Sequence, residues 1–243
     1  MVYCRCRIPF GGLLNTAPAS TAELRESVGP LWAELVAEPF CRAIADGSLP
    51  LTSFRFYVSQ NLIYLQDYAR MLAVGASRAR NGAELEQFTD ALDNIVKVEI
   101  PQNERLLARV EALVGVRNRA DLTPGPATVA YTSWLTSIAA RGNADDIAAA
   151  LLPCAWSYGD IACGLTVVTS TERLYGEWIE FFASEDYAHV VKNLRAAFDA
   201  RLAIMTADAR TKAAQTFLFG CRLERQFWHQ GLMCTQWPDL GEV

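Results

Sequence analysis

The sequence predicts an all-α fold, a single-domain multi-helix bundle, and three observations lead there. Apolar residues recur at helical spacing through most of the chain, while no stretch alternates convincingly as a half-buried strand would. Pro and Gly breakers fall between these runs and leave short connections, which makes successive helices antiparallel neighbours. The 243 residues are 51% hydrophobic, enough to bury a large core in one domain and too apolar for a disordered chain.

The elements follow in order. Residues 1–19 read as an irregular arm rich in Gly, Pro and small residues, and residues 20–243 as the helical domain. Ser20-Thr21-Ala22-Glu23 has the form of a capping box and opens the first helix. Pro39 suits the first turn of a second helix and Gly47 its end. A long helix runs from Thr52 to about Arg80, and another from Ala83 to Val114. Pro124-Gly125-Pro126 breaks the chain before a helix through Tyr131. Arg141-Gly142-Asn143 separates that helix from the next, which carries Cys154 and which Pro153 is expected to kink. A short helix spans Glu172 to Ala183, Ser184-Glu185-Asp186 caps another, and a last long one covers about Asp208 to Gly231.

Composition excludes several functions. The net charge is −5 and the Lys and Arg residues are scattered, so no basic face exists for nucleic acid. No apolar run approaches the length needed to span a bilayer, and Met-Val-Tyr-Cys-Arg-Cys-Arg at the N-terminus does not read as a secretory signal. Seven cysteines without a disulfide spacing fit a reducing cytoplasm. Cys4 and Cys6 form a C-x-C pair in the arm, with neither histidine near them in sequence. His189 and His229 lack a Glu three residues before them (Asp186 and Gln226 stand there), against the pattern of a di-iron bundle. No metal site and no organic cofactor is expected, since no Gly-rich phosphate loop is present.

The most informative segment is Leu151-Leu152-Pro153-Cys154-Ala155-Trp156-Ser157-Tyr158. Cys154 and Tyr158 are four apart, so they share a helix face in a run too apolar for the surface. Glu224 stands in a similarly apolar helix, in Glu224-Arg225-Gln226-Phe227-Trp228. A buried thiol and a buried carboxylate suffice for nucleophilic catalysis with proton transfer. The plainer alternative is a core cysteine, and a glutamate paired with a nearby arginine. A stripe of Tyr57, Asn61, Tyr64 and Tyr68 lies on one face of the long helix from Thr52, and its Asn needs partners for both its oxygen and its NH2. With Tyr131, Trp134, Phe227 and Trp228, four helices aim polar groups among aromatics at a shared interior, an arrangement suited to a flat heterocycle.

At these residues the sequence resembles the TenA (thiaminase II) family of the haem-oxygenase-like helical fold. The likeness runs from about Leu31 to Trp228. It is carried by Glu38-Pro39-Phe40, Asp46-Gly47-Ser48-Leu49-Pro50, Gln60, Tyr64-Leu65, Tyr68-Ala69-Arg70, the Cys154 block, Trp178-Ile179 and the Glu224 block. The resemblance implies a hydrolase that cleaves a C–N bond at the methylene of a 4-aminopyrimidine and releases hydroxymethylpyrimidine for thiamin salvage. Cys154 would be the nucleophile and Glu224 the acid/base, with Tyr64, Tyr131, Tyr158 and Phe227 lining the pocket. It also implies a homotetramer acting on a small-molecule pyrimidine.

Two positions depart from the family pattern. Asn61 follows Gln60 where an Asp is usual, and Phe182 stands where a pocket tyrosine is common. Both remove a polar or charged group, so a different amine or N-heterocycle is an alternative substrate, and a non-catalytic pyrimidine-binding regulator a second alternative. An otherwise ordinary pocket would gain activity on the family substrates from Asn61→Asp.

Overall fold

The computed structural model describes residues 17–116, 123–165 and 173–238. Among these residues it contains eleven α-helices, one π-helical turn and no strand. Most of the proposed arm, with Cys4 and Cys6, lies outside the described residues. The helices are α1 (Thr21–Ser27), α2 (Pro30–Val36), α3 (Pro39–Ala45), α4 (Leu51–Ser77), α5 (Gly82–Asn94), α6 (Ile100–Val114), α7 (Pro126–Arg141), α8 (Ala144–Gly164), α9 (Arg173–Phe182), α10 (Glu185–Ile204) and α11 (Ala207–Met233).

Several ends obey local chemistry. Ser20 Oγ accepts from Glu23 N at 3.2 Å, but the Glu23 carboxylate reaches back to Ala19 N rather than to Ser20 N, so the cap is one-sided. Asn143 and Asp146 form a complete capping box ahead of α8. Ser184 and Thr206 cap α10 and α11.

Two expected helices are divided. The first splits into α1 and α2, because Gly29 adopts φ +49° and Pro30 cannot continue the ladder. The second is interrupted by a π-turn at Ile95–Glu99, where Ile100 N bonds the Ile95 carbonyl. Pro101 has no N–H for the Lys97 carbonyl, and the register slips by one residue just ahead of it. Pro153 lies inside α8 without interrupting it. By length and composition α8 could also cross a membrane, contrary to expectation, because its hydropathy is spread over many small alanines. It is a core helix here, with most of that stretch buried inside the bundle.

The centre of the bundle is α4, α8 and α11, with α7 laid across them, and α8 and α11 share the most extensive contact. Gly220 makes that approach possible. A Cβ at this position would stand 2.7 Å from Pro153 Cγ, closer than atoms tolerate. Pro153 precedes Cys154 and Gly220 lies one turn before Glu224, so this contact fixes the separation of the two chemical groups.

Candidate active site

Cys154 of α8, Glu224 of α11, Tyr131 of α7 and Tyr64 of α4 meet in the interior. Tyr131 Oη donates to Glu224 Oε1 at 2.7 Å. The neighbouring arginine is not the partner of Glu224: Arg225 Nε and Nη1 bind Glu38 at 2.9 Å and Glu34 at 2.5 Å on the outer face. The plainer reading of Glu224 as half of an ion pair therefore fails. Loss of water on burial raises its carboxyl from 4.5 to about 7, while the contacts from Tyr131 and Cys154 act the other way. Cys154 lies beside it. Burial and then the Glu224 charge push its thiol up, and Tyr64 pulls it down. Cys41 and Cys221 also feel Glu224 but are fully buried, whereas Cys154 keeps partial access.

The aromatic cluster around these groups divides into two connected parts. In the first, the Tyr64 ring lies 4.8 Å from Tyr131 and 5.6 Å from Phe227, centroid to centroid. The buried Tyr64 hydroxyl lies next to Cys154 and Tyr131 but makes no well-formed hydrogen bond among the described residues, and a ligand nitrogen would complete its bonding. In the second, Tyr158 packs 4.8 Å from Phe182 and 4.8 Å from Trp228. Tyr57 Oη donates to Tyr158 Oη at 3.2 Å and accepts from Trp178 Nε1 at 3.2 Å. Tyr57 joins the two parts through Phe227.

The stripe on α4 serves both structure and site. Tyr68 Oη donates to the Leu151 carbonyl at 3.1 Å and ties α4 to α8. Gln60 holds the turn before α7, accepting from Gly125 N and Thr128 Oγ1 and donating to the Thr123 carbonyl. Asn61 Nδ2 donates to Asn103 Oδ1 at 3.1 Å, and Asn103 Nδ2 donates to the Glu99 carbonyl at 2.9 Å. That second bond commits the Asn103 amide, so Asn61 must present its NH2 to Asn103 and keeps its own oxygen for another group.

Sequence reasoning missed Asn103 and Glu99. Both are buried, at 2% and 7% exposure, and burial raises the Glu99 carboxyl from 4.5 to about 7. Glu99 Oε1 accepts only from Asn94 Nδ2, at 3.3 Å, among the described residues. A cavity of about 20 Å³ beside Cys154 is lined by Glu99, Tyr68 and Tyr187. The available signal was Pro101 inside a helical pattern, with Glu99 and Asn103 four apart on one face. Among the described residues no group of three or more His, Cys, Asp or Glu is placed to hold a metal ion.

Fold and site together define a class: an all-helical bundle whose interior holds a thiol, a carboxylic acid and a phenol among packed aromatic rings. The chain belongs to the TENA/THI-4/PQQC family, whose model matches residues 25–235. It is 31% identical to an aminopyrimidine aminohydrolase of Halalkalibacterium halodurans over 90% of this chain and 98% of that protein. It is 26% identical to the Bacillus subtilis aminopyrimidine aminohydrolase over 89% of this chain and 91% of that one. Among solved structures, a TenA homologue from P. horikoshii superposes with a TM-score of 0.77 at 28% identity, covering 88% of this chain and 98% of the other. A domain with a heme oxygenase-like fold from Shewanella denitrificans superposes at 0.70 with 15% identity, a likeness of fold alone.

Proposed function

We propose that this chain hydrolyses the C–N bond at the methylene of an aminopyrimidine and releases hydroxymethylpyrimidine for thiamin salvage. That it is a hydrolase acting on C–N bonds follows from its membership and its relatives. The observation that carries the finer reading is the buried trio of Cys154, Glu224 and Tyr131, with a carboxyl titrating near neutrality beside a thiol.

The chemistry proceeds as follows. The Glu224 carboxylate takes the Cys154 thiol proton as sulfur adds to the ring carbon adjacent to the one bearing the methylene. The same proton passes to a ring nitrogen, and aromaticity is lost. The ring electrons then expel the amine from the methylene carbon. Water adds to that carbon, the ring proton returns to Glu224, and the thiol leaves. The sum is R–CH2–NH3+ plus H2O giving R–CH2–OH plus NH4+. Tyr131 holds Glu224 in place, and Tyr64, Phe227, Tyr158 and Phe182 supply flat walls. The Asn61 oxygen, which accepts no hydrogen bond among the described residues, suits an exocyclic ring NH2, which favours an aminopyrimidine over an unrelated amine.

The test is incubation with thiamin and with aminomethylpyrimidine, following pyrimidine release, for wild type and Cys154→Ser. Cys154→Ser should lose essentially all turnover while Cys41→Ser and Cys221→Ser keep it. More than about a tenth of wild-type rate in Cys154→Ser excludes a covalent role. A homotetramer, the cytoplasmic setting and a helical domain beginning at residue 20 are parts of the same proposal, and sedimentation measures the first.

A further inference from the structure

Cys154 stands between an aromatic cluster and a cavity. On one side lie the packed rings of Tyr64, Tyr131 and Phe227. On the other lies the cavity of about 20 Å³ walled by Glu99, Tyr68 and Tyr187, room for one water or one ammonium ion. Beyond it, between α5 and α10, a surface groove of about 260 Å³ carries Glu86 and Asp90. Cavity and groove share Ala91, Asn94, Val190 and Leu194, which line both. The π-turn places Glu99 here, at the end of a segment whose register has slipped by one residue.

We propose that the α5–α10 seam is the leaving-group port of the enzyme, taking a small cationic amine or ammonium from the methylene beside Cys154 and delivering it to solvent. This rests on the proposed aminopyrimidine hydrolysis. With the ring held among the aromatic side chains and sulfur added to the adjacent ring carbon, the methylene lies next to sulfur. Its nitrogen is then directed past Cys154 into the cavity. As the C–N bond breaks, its electron pair stays on nitrogen, which leaves as ammonia and becomes ammonium by taking the proton that water releases as it adds to the methylene carbon. Glu99 has no cation within ion-pairing distance among the described residues, and the departing ammonium supplies one. The acidic groove then draws it outward. The cavity admits ammonia but not a thiazole ring, so the preferred substrate carries a primary amine rather than the thiazolium of thiamin.

The test uses the full chain, aminomethylpyrimidine, and the same compound bearing N-methyl or N-ethyl groups. Wild-type kcat/KM should fall at least tenfold from the primary amine to N-ethyl, and Leu194→Ala should cut that discrimination at least fivefold. Glu99→Gln and Ala91→Leu should each lower turnover of the primary amine at least tenfold, with the Kd for neutral hydroxymethylpyrimidine within twofold of wild type. If Ala91→Leu fails to fold, the substrate series on wild type and Glu99→Gln decide. Equal rates for all three amines, or unchanged turnover in Glu99→Gln, overturn the port and leave the hydrolysis standing. No pyrimidine release by wild type from any of the compounds removes both.

Discussion

Glu224→Gln separates what the fold wants from what the chemistry wants. In the native chain the Glu224 carboxyl titrates near 7 instead of 4.5, because burial disfavours its charge. A carboxyl raised in this way contributes most below 4.5, where both folded and unfolded chains are protonated, and that contribution is lost as pH rises to about 7. At about 1.4 kcal/mol per pH unit, the interval from 4.5 to about 7 corresponds to about 3 kcal/mol of destabilisation at pH 8. Gln is neutral, close in shape, and its oxygen still accepts from Tyr131. The variant should match wild type within about 1 kcal/mol at pH 4.5 and be about 1–3 kcal/mol more stable at pH 8. For a chain of this size that is a rise of about 2–4 °C in Tm for each kcal/mol. Turnover should fall by about 10²-fold or more, the size of a general acid–base contribution, while binding of the pyrimidine product weakens much less. Urea denaturation at the two pH values, with kinetics on the same preparations, reads both effects. A variant equally or less stable than wild type at pH 8 refutes the argument that Glu224 is a strained buried acid. Equal losses of rate and binding make it a binding residue instead.

Other outcomes follow from single contacts. Tyr131→Phe removes the hydrogen bond that holds the Glu224 carboxyl down, so the neutral limb of the pH–rate profile should move to higher pH; an unmoved limb contradicts the assignment. Gly220→Ala puts a methyl into Pro153, and should cost about 1–3 kcal/mol by thermal melt and reduce kcat by displacing Glu224 from Cys154. Asn61→Asp now has an expected outcome opposite to that of an ordinary pocket. The carboxylate would face Asn103 Oδ1 with no proton to donate, costing about 1–3 kcal/mol and giving no gain on thiamin. A gain in kcat/KM at unchanged stability would show that Asn103 can turn.

The helical layout was legible because breakers and apolar periodicity agree, and the Cys154 and Glu224 blocks stood out as polar groups in apolar helices. What was not legible depended on backbone details or on partners distant in sequence. The break at Gly29 needs a left-handed residue that nothing but the Gly-Pro pair signals. The π-turn needs the combination of Pro101 with the packing ahead of it, and without it Glu99 reads as one more polar residue on a surface helix. Arg225 follows Glu224 directly, yet neighbours on a helix point about 100° apart, and Arg225 turns outward to Glu34 and Glu38. Tyr68 and Gln60 share the stripe's spacing with Asn61 and Tyr64, but are spent on main-chain carbonyls and the turn before α7.

The chain of amides from Asn61 through Asn103 to the Glu99 carbonyl has a consequence for how substrate preference is inherited. Each amide already gives one N–H to the next group in the chain, so a change at position 61 is judged by position 103 before any substrate is met. A lineage moving between carboxamide and carboxylate here must alter both residues, or pass through a form with two acceptors facing each other in the core. Preference for one amine over another would then change in paired steps across α4 and α6, and a single exchange at position 61, in either direction, would be a poor guide to the ancestral pocket.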